Sequence, residues 1–150
     1  MEQTAVMPSS PSLARRLGSL LYDSVLLFGV LMLAVSVLII PYDLLAARPY
    51  PQDEALYRIL MQLYLLAVIA AFYIFFWTRG GQTLGMRTWR IRVVRDDGGP
   101  LAVSDALRRF AWASLSLLPA GLGLWWSLLD PQRLAWHDRR SHTRLVLVPR

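Results

Sequence analysis

An all-α membrane protein is the fold class this 150-residue sequence predicts: two full transmembrane helices, a Pro/Gly-broken third helical hairpin and a small cytoplasmic two-stranded β element. Three observations predict it. Apolar residues make up 55% of the chain against 17% charged, with a mean hydropathy of +0.40. They gather into blocks instead of alternating with polar residues at helical or strand period, as a soluble core requires. The blocks are Leu17 to Tyr42, where Asp23 is the only charge, and Ile59 to Thr78 and Phe110 to Leu129, which have none; each is near the roughly 20 residues that cross a ~30 Å hydrocarbon core. Pro119, Gly121 and Gly123 interrupt the middle of the third block.

Taken in order, residues 1–14 form a flexible polar tail with Pro8, Ser9, Ser10, Pro11 and Ser12. A single membrane domain over 15–148 follows. Its first span runs from about 17 to 40, stops at Pro41, and is too long for the h-region of a signal peptide, so it reads as a retained helix. The connection 41–58 holds three prolines and offers a short helix from Asp53. The second span, about 59–77, ends in the aromatic run FYIFFW, which suits a headgroup boundary. After the loop 78–104 comes the broken block at about 105–129. Its proline and glycines divide it into two halves of roughly ten residues, each ~15 Å long. In the tail, 130–140 reads as a short helix with Asp130 as N-cap and Pro131 at its first position. WRIRVV (89–94) and RLVLV (144–148) read as strands, with DDGG (96–99) as a turn.

All sixteen basic residues are arginine, and the formal charge is +6. They lie between the apolar blocks, where a positive-inside bias puts them, so anionic headgroups of the bilayer are the expected acidic partner and nucleic acid is not. Residues 79–109 carry seven arginines against three acids, while 41–58 carry two against three. The N-terminus and the 78–104 loop are therefore expected on the cytoplasmic side, with the chain multi-pass in its membrane. A full crossing by the third block would export five arginines and separate the two strands. A re-entrant hairpin resolves both conflicts and keeps the C-terminus inside as well. The absence of cysteine excludes disulfides and thiolate chemistry.

Asp23 needs an explanation. An acid at the centre of a transmembrane helix costs about 2.5–3.5 kcal/mol on insertion scales, and such groups pair with protein or face water. Arg16 lies seven residues earlier on nearly the same helix face. It sits ~10.5 Å away along the axis and leans towards the N-terminus, so a direct pair is not expected. By elimination, Arg87, Arg108, Arg109, Ser114 and Ser116 are the candidate partners of Asp23, and Asp138 is available to Arg16. Asp23 is either a structural pin across several elements or a carrier of a proton or ion. Gly18, Gly29 and Ser36 form a small-residue stripe on the opposite face, suited to helix packing.

These residues together resemble the RDD family of small bacterial membrane proteins. The resemblance rests on Arg16 and Asp23, on GGQTLGMR (80–87), on WRIRVVRDDG (89–98) and on WHDRRSHTRLVLV (136–148), and covers about residues 14–148. The family's second aspartate falls on Asp138; the literal string Arg95-Asp96-Asp97 reads as a turn. Met86 stands where the family usually has lysine, and Ser141-His142 where it tends to a smaller Ala-Gly pair. The resemblance implies a multi-pass protein of the bacterial inner membrane and a role in transport with an undefined ligand.

GGQTLG lacks the spacing and lysine of a phosphate loop. His137 and His142 are five apart, the wrong helical spacing for a shared zinc ion. Ser141 has no base oriented on it by sequence. No cofactor, metal or catalytic function is therefore expected. Two functions compete: a transport component acting as a homo-oligomer, and a non-transporting scaffold whose charge network only fixes the fold.

Overall fold

The computed structural model describes residues 10–118 and 121–149, so most of the expected N-terminal tail, Pro119 of the expected break and Arg150 lie outside it. Two long helices dominate. The first, α1, runs Leu13–Ala46 and the second, α2, Ala55–Gly80. Their 34 and 26 residues make rods of ~51 and ~39 Å, each long and apolar enough to cross a bilayer. The core helix of a soluble protein would be largely covered, whereas the apolar stretches of both helices stay uncovered. Leu21, Val25, Phe28 and Leu33 are each about two-thirds exposed.

α1 does not stop at Pro41 but continues to Ala46 and ends at Ala47 with φ 50°. A proline forfeits one backbone bond inside a helix. The turn after it packs instead on the connection that leads to α2. Tyr42 meets Tyr50 edge-on at 5.2 Å, and Asp43 Oδ1 accepts from Tyr50 N at 2.8 Å. The residues from Asp53 make no separate helix; α2 starts at Ala55, four residues before the expected span.

Beyond α2 the chain makes a one-turn helix, α3 (Leu84–Thr88), and strand β1 (Ile91–Arg95), then helix α4 (Val103–Leu117). α4 is followed by a break, with Gly121 at φ 74°, a conformation that glycine adopts freely. The second half of the third block is shorter than the ten residues expected. It is only α5 (Leu122–Trp125) and a 3₁₀ turn at Trp126–Leu128, where Ser127 Oγ donates to the carbonyl of Leu124 and closes the turn early. Residues 130–135 are not helical either, because Asp130 is not an N-cap. Its Oδ2 accepts from Leu134 N at 2.9 Å, and Arg133 turns left-handed at φ 54°. The tail helix α6 is Trp136–Arg140.

The final strand, β2 (Thr143–Leu147), pairs antiparallel with β1, from Ile91 opposite Leu147 to Arg95 opposite Thr143. The apolar faces of these strands join Trp77, Met86, Leu101 and Ala106 in one buried core. A compact cap thus sits at the end of the α1–α2 pair where α1 begins and α2 ends.

Candidate functional site

Asp138 is the centre of the cap. It lies in the first turn of α6, where its Oδ2 accepts from Ala135 N at 3.0 Å and so satisfies a backbone donor left free at a helix start. The same oxygen accepts from Arg16 Nη1 at 2.6 Å, while Oδ1 accepts from Arg109 Nη1 at 2.7 Å. Side-chain exposure is 1% for Arg16, 2% for Arg109 and 0% for Asp138, so all three charges are out of water. One carboxylate thereby joins the start of α1, the first half of α4 and the tail helix.

Each arginine is held a second time. Arg16 Nη2 donates to the carbonyl of Arg133 at 2.7 Å, and Arg109 Nη1 to Thr143 Oγ1 at 2.6 Å. Thr143 in turn shares a hydrogen bond with Ser141, whose hydroxyl also donates to the carbonyl of His137. The Arg109 guanidinium lies 5.3 Å over the Trp77 ring, a cation–π contact with the end of α2. Burial alone would raise the Asp138 carboxyl. The attraction of Arg109 and Arg16 overcomes it and holds the group well below the usual carboxylate range. Burial also pushes His137 down to about 4, against the pull of Asp138, so the imidazole is neutral at pH 7. A neutral His137 adds no charge to the hold on Asp138, which leaves that to the two arginines. Its Nδ1 is 3.2 Å from Ser116 Oγ, and its Nε2, at 3.6 Å, is too far from Asp138 Oδ1 for a hydrogen bond.

Asp23 is met elsewhere. Its carboxylate accepts from Thr83 Oγ1 at 2.5 Å and from Gly85 N at 2.9 Å. Thr83 is the N-cap of α3 and accepts in turn from Met86 N at 3.2 Å. The loop can come this close only because residue 85 has no side chain: a Cβ there would lie 2.3 Å from the Ser19 carbonyl oxygen and 2.8 Å from Asp23 Oδ1. Neither donor is among the five partners expected from the sequence: one is the hydroxyl of a loop threonine and the other a backbone amide, which no residue type marks. The available signal was Thr83 followed by Leu-Gly, a capping residue with a small residue two places on.

The remaining candidates disperse. Arg87 is exposed on α3, and Arg108 is exposed beside Asp105 at 3.4 Å. Adjacent residues point ~100° apart on a helix, so α4 can turn only one of its arginine pair inward, and it turns Arg109. Ser114 donates to the Phe110 carbonyl of its own helix. The stripe on α1 is not a helix contact: Gly18 lies under the Trp89 ring, and Gly29 meets nothing within 4 Å. His142 is exposed near Asp96, apart from His137. Asp96 also holds Arg144 at 3.0 Å.

Above the cluster, a cavity of about 320 Å³ opens between α1, α2 and α4. Arg16, Ser19, Arg109 and His137 line one part of it; Leu27, Leu66, Ile69, Phe110 and Leu117 line the rest. It lies within the ~300–1,000 Å³ of ordinary ligand pockets and has their character, mostly apolar with a few polar groups. The family model described as the RDD family matches residues 10–142. No curated protein and no solved structure matches the chain.

Proposed function

Because the chain belongs to the RDD family, we infer that it is a multi-pass protein of the bacterial inner membrane that works as a transport component. α1 and α2 cross the bilayer, and the cap with both chain ends lies on the cytoplasmic side. The seven arginines of residues 79–109 support that orientation. One observation carries the transport reading: the cavity that reaches from the buried arginines up between the spans. Two crossing helices cannot enclose a water path, so transport takes place in an assembly of copies joined through the uncovered apolar faces of α1 and α2. The arginine–aspartate cluster is its fixed base. Asp23 is a pin for the α3 loop rather than a carrier, since protein donors hold both its oxygens.

Flux across liposomes holding the purified protein tests this. Protons are followed with an entrapped dye, and inorganic ions, organic anions and single-chain lipids by radiolabel. Gradient-dependent movement absent from protein-free liposomes is the expected result; no movement of any of them overturns the reading.

The same saturation of Asp23 and Asp138 by protein groups favours a second reading, a non-transporting scaffold whose arginine-rich face docks a partner or anionic lipid. That reading predicts a partner co-purifying in fixed ratio and variants of the cluster that lose stability with no flux to lose.

A further inference from the structure

The dimensions of the cavity specify an occupant. Its lining on α1 runs from Arg16 to Leu27, and on the antiparallel α2 from Trp77 back to Leu66. Each stretch rises ~16 Å, about half of a ~30 Å hydrocarbon core. The polar end lies where α1 starts, and the apolar end reaches the level of the bilayer midplane. That is the depth of one leaflet.

The polar end has an excess of positive charge. Arg16 and Arg109 face one carboxylate, Asp138, and Asp23 is not among the lining residues. Nε of Arg16 and Nε of Arg109 are both buried with no hydrogen-bond partner among the described residues. An unpaired buried donor on a charged group is costly, and an anion at this end would offset the excess charge of the two guanidinium groups that line it. Guanidinium groups suit carboxylate and phosphate alike.

We propose that the cavity binds a single-chain anionic lipid, with its carboxylate or phosphate head at Arg16 and Arg109 and its acyl chain running towards Leu27 and Leu66. This deepens the transport reading by naming its substrate class, and rests on that reading for the placement of α1 and α2 across the bilayer. The small volume admits one chain, and the midplane depth matches a chain from the cytoplasmic leaflet.

The test is equilibrium binding to the full-length protein in nanodiscs of zwitterionic lipid. Ligands with brominated chains quench tryptophan fluorescence, and Trp77 lines the cavity. Oleate and lysophosphatidate separate the two head groups; methyl oleate and lysophosphatidylcholine are the controls without net negative charge, and inorganic phosphate, read by its displacement of a quenching lipid, is the head alone. Saturable quenching by one or both anionic lipids is expected, with the controls and phosphate weaker by roughly tenfold or more, a loss of about 1.4 kcal/mol. Which anionic lipid binds identifies the head. Ala113→Phe, which puts a ring into the cavity and leaves the arginine–aspartate bonds in place, should weaken binding by a similar factor. If that variant fails to fold, Leu66→Trp at the far, exposed end should weaken the long chain and spare a short-chain homologue.

Equal binding of oleate and methyl oleate, phosphate binding as tightly as the lipids, or binding unchanged in the folded variants would overturn the proposal. Flux without saturable lipid binding removes this inference and leaves transport standing. Binding without flux removes transport and leaves the site.

Discussion

Replacing Asp138 by asparagine converts one of its two oxygens into an amide donor facing a guanidinium donor. Both arginines are then left buried without a counter-charge, with side-chain exposure of 1% and 2%. Removing one partner of a buried ion pair costs about 3–5 kcal/mol. Arg109→Gln is milder. It leaves Arg16 and Asp138 as a balanced pair and loses the bonds of one charged donor, about 1.5–3 kcal/mol. The informative variant is the double. With Asp138 neutral, Arg109 only repels Arg16, so removing it relieves a like-charge contact. Asp138→Asn/Arg109→Gln should be no less stable than Asp138→Asn alone, a coupling on the order of 1–3 kcal/mol. The assay is unfolding of the purified protein by denaturing detergent in mixed micelles, read by tryptophan fluorescence. Additive losses, or a single Asp138→Asn loss within about 0.5 kcal/mol of zero, would refute the shared-carboxylate geometry.

Other outcomes follow from the same contacts. Gly85→Ala should destabilise by about 1–3 kcal/mol, because its Cβ would overlap the Ser19 carbonyl oxygen, whereas Gly29→Ala, in open space, should stay within about 0.5 kcal/mol; the same unfolding assay compares them. Thr83→Ala should cost about 1–3 kcal/mol by leaving Asp23 short of a donor, and Thr83→Ser should recover most of it. His137 should make the cap acid-sensitive. Its folded value of about 4 lies below the ordinary ~6.5, so the unfolded chain binds the extra proton. That contribution is complete above pH 6.5 and is lost as pH falls towards 4, on the order of 3 kcal/mol. His137→Gln should flatten the stability profile over that window, and an unchanged slope would contradict the burial. Asp138 adds a second loss only below its ordinary carboxylate range, since its folded value is depressed.

The parts legible in the sequence were those set by hydropathy and by charge. Two apolar blocks, the first charged only at Asp23, become α1 and α2, and two β-branched runs become paired strands within a residue or two of their expected ends. The sequence makes Asp138 available to Arg16, and 2.6 Å separates their atoms. Four features escaped because they depend on particular side-chain contacts that hydropathy and charge patterning do not encode. Pro41 marks no helix end, since the Tyr42 and Tyr50 rings hold the following turn. Asp23 is met by Thr83 and Gly85 and not by an arginine, because uncharged donors can satisfy a carboxylate and leave no charge pattern to read. Arg108 and Arg109 look alike in sequence, and only the rotation of α4 against α2 and α6 separates the buried one from the exposed one. The helix expected from Asp130 gives way to a turn because its carboxylate accepts from Leu134 N.

The central claim is that guanidinium groups from α1 and α4 converge on one carboxylate. Solid-state NMR on the protein in lipid bilayers, with labelled arginine nitrogens and aspartate carboxyl carbons, measures it directly. Dipolar dephasing should place both Arg16 and Arg109 in contact with Asp138, matching the 2.6 and 2.7 Å nitrogen–oxygen distances, with Asp23 free of arginine. Dephasing of Asp138 by one arginine alone, or of Asp23 by either, would contradict the account.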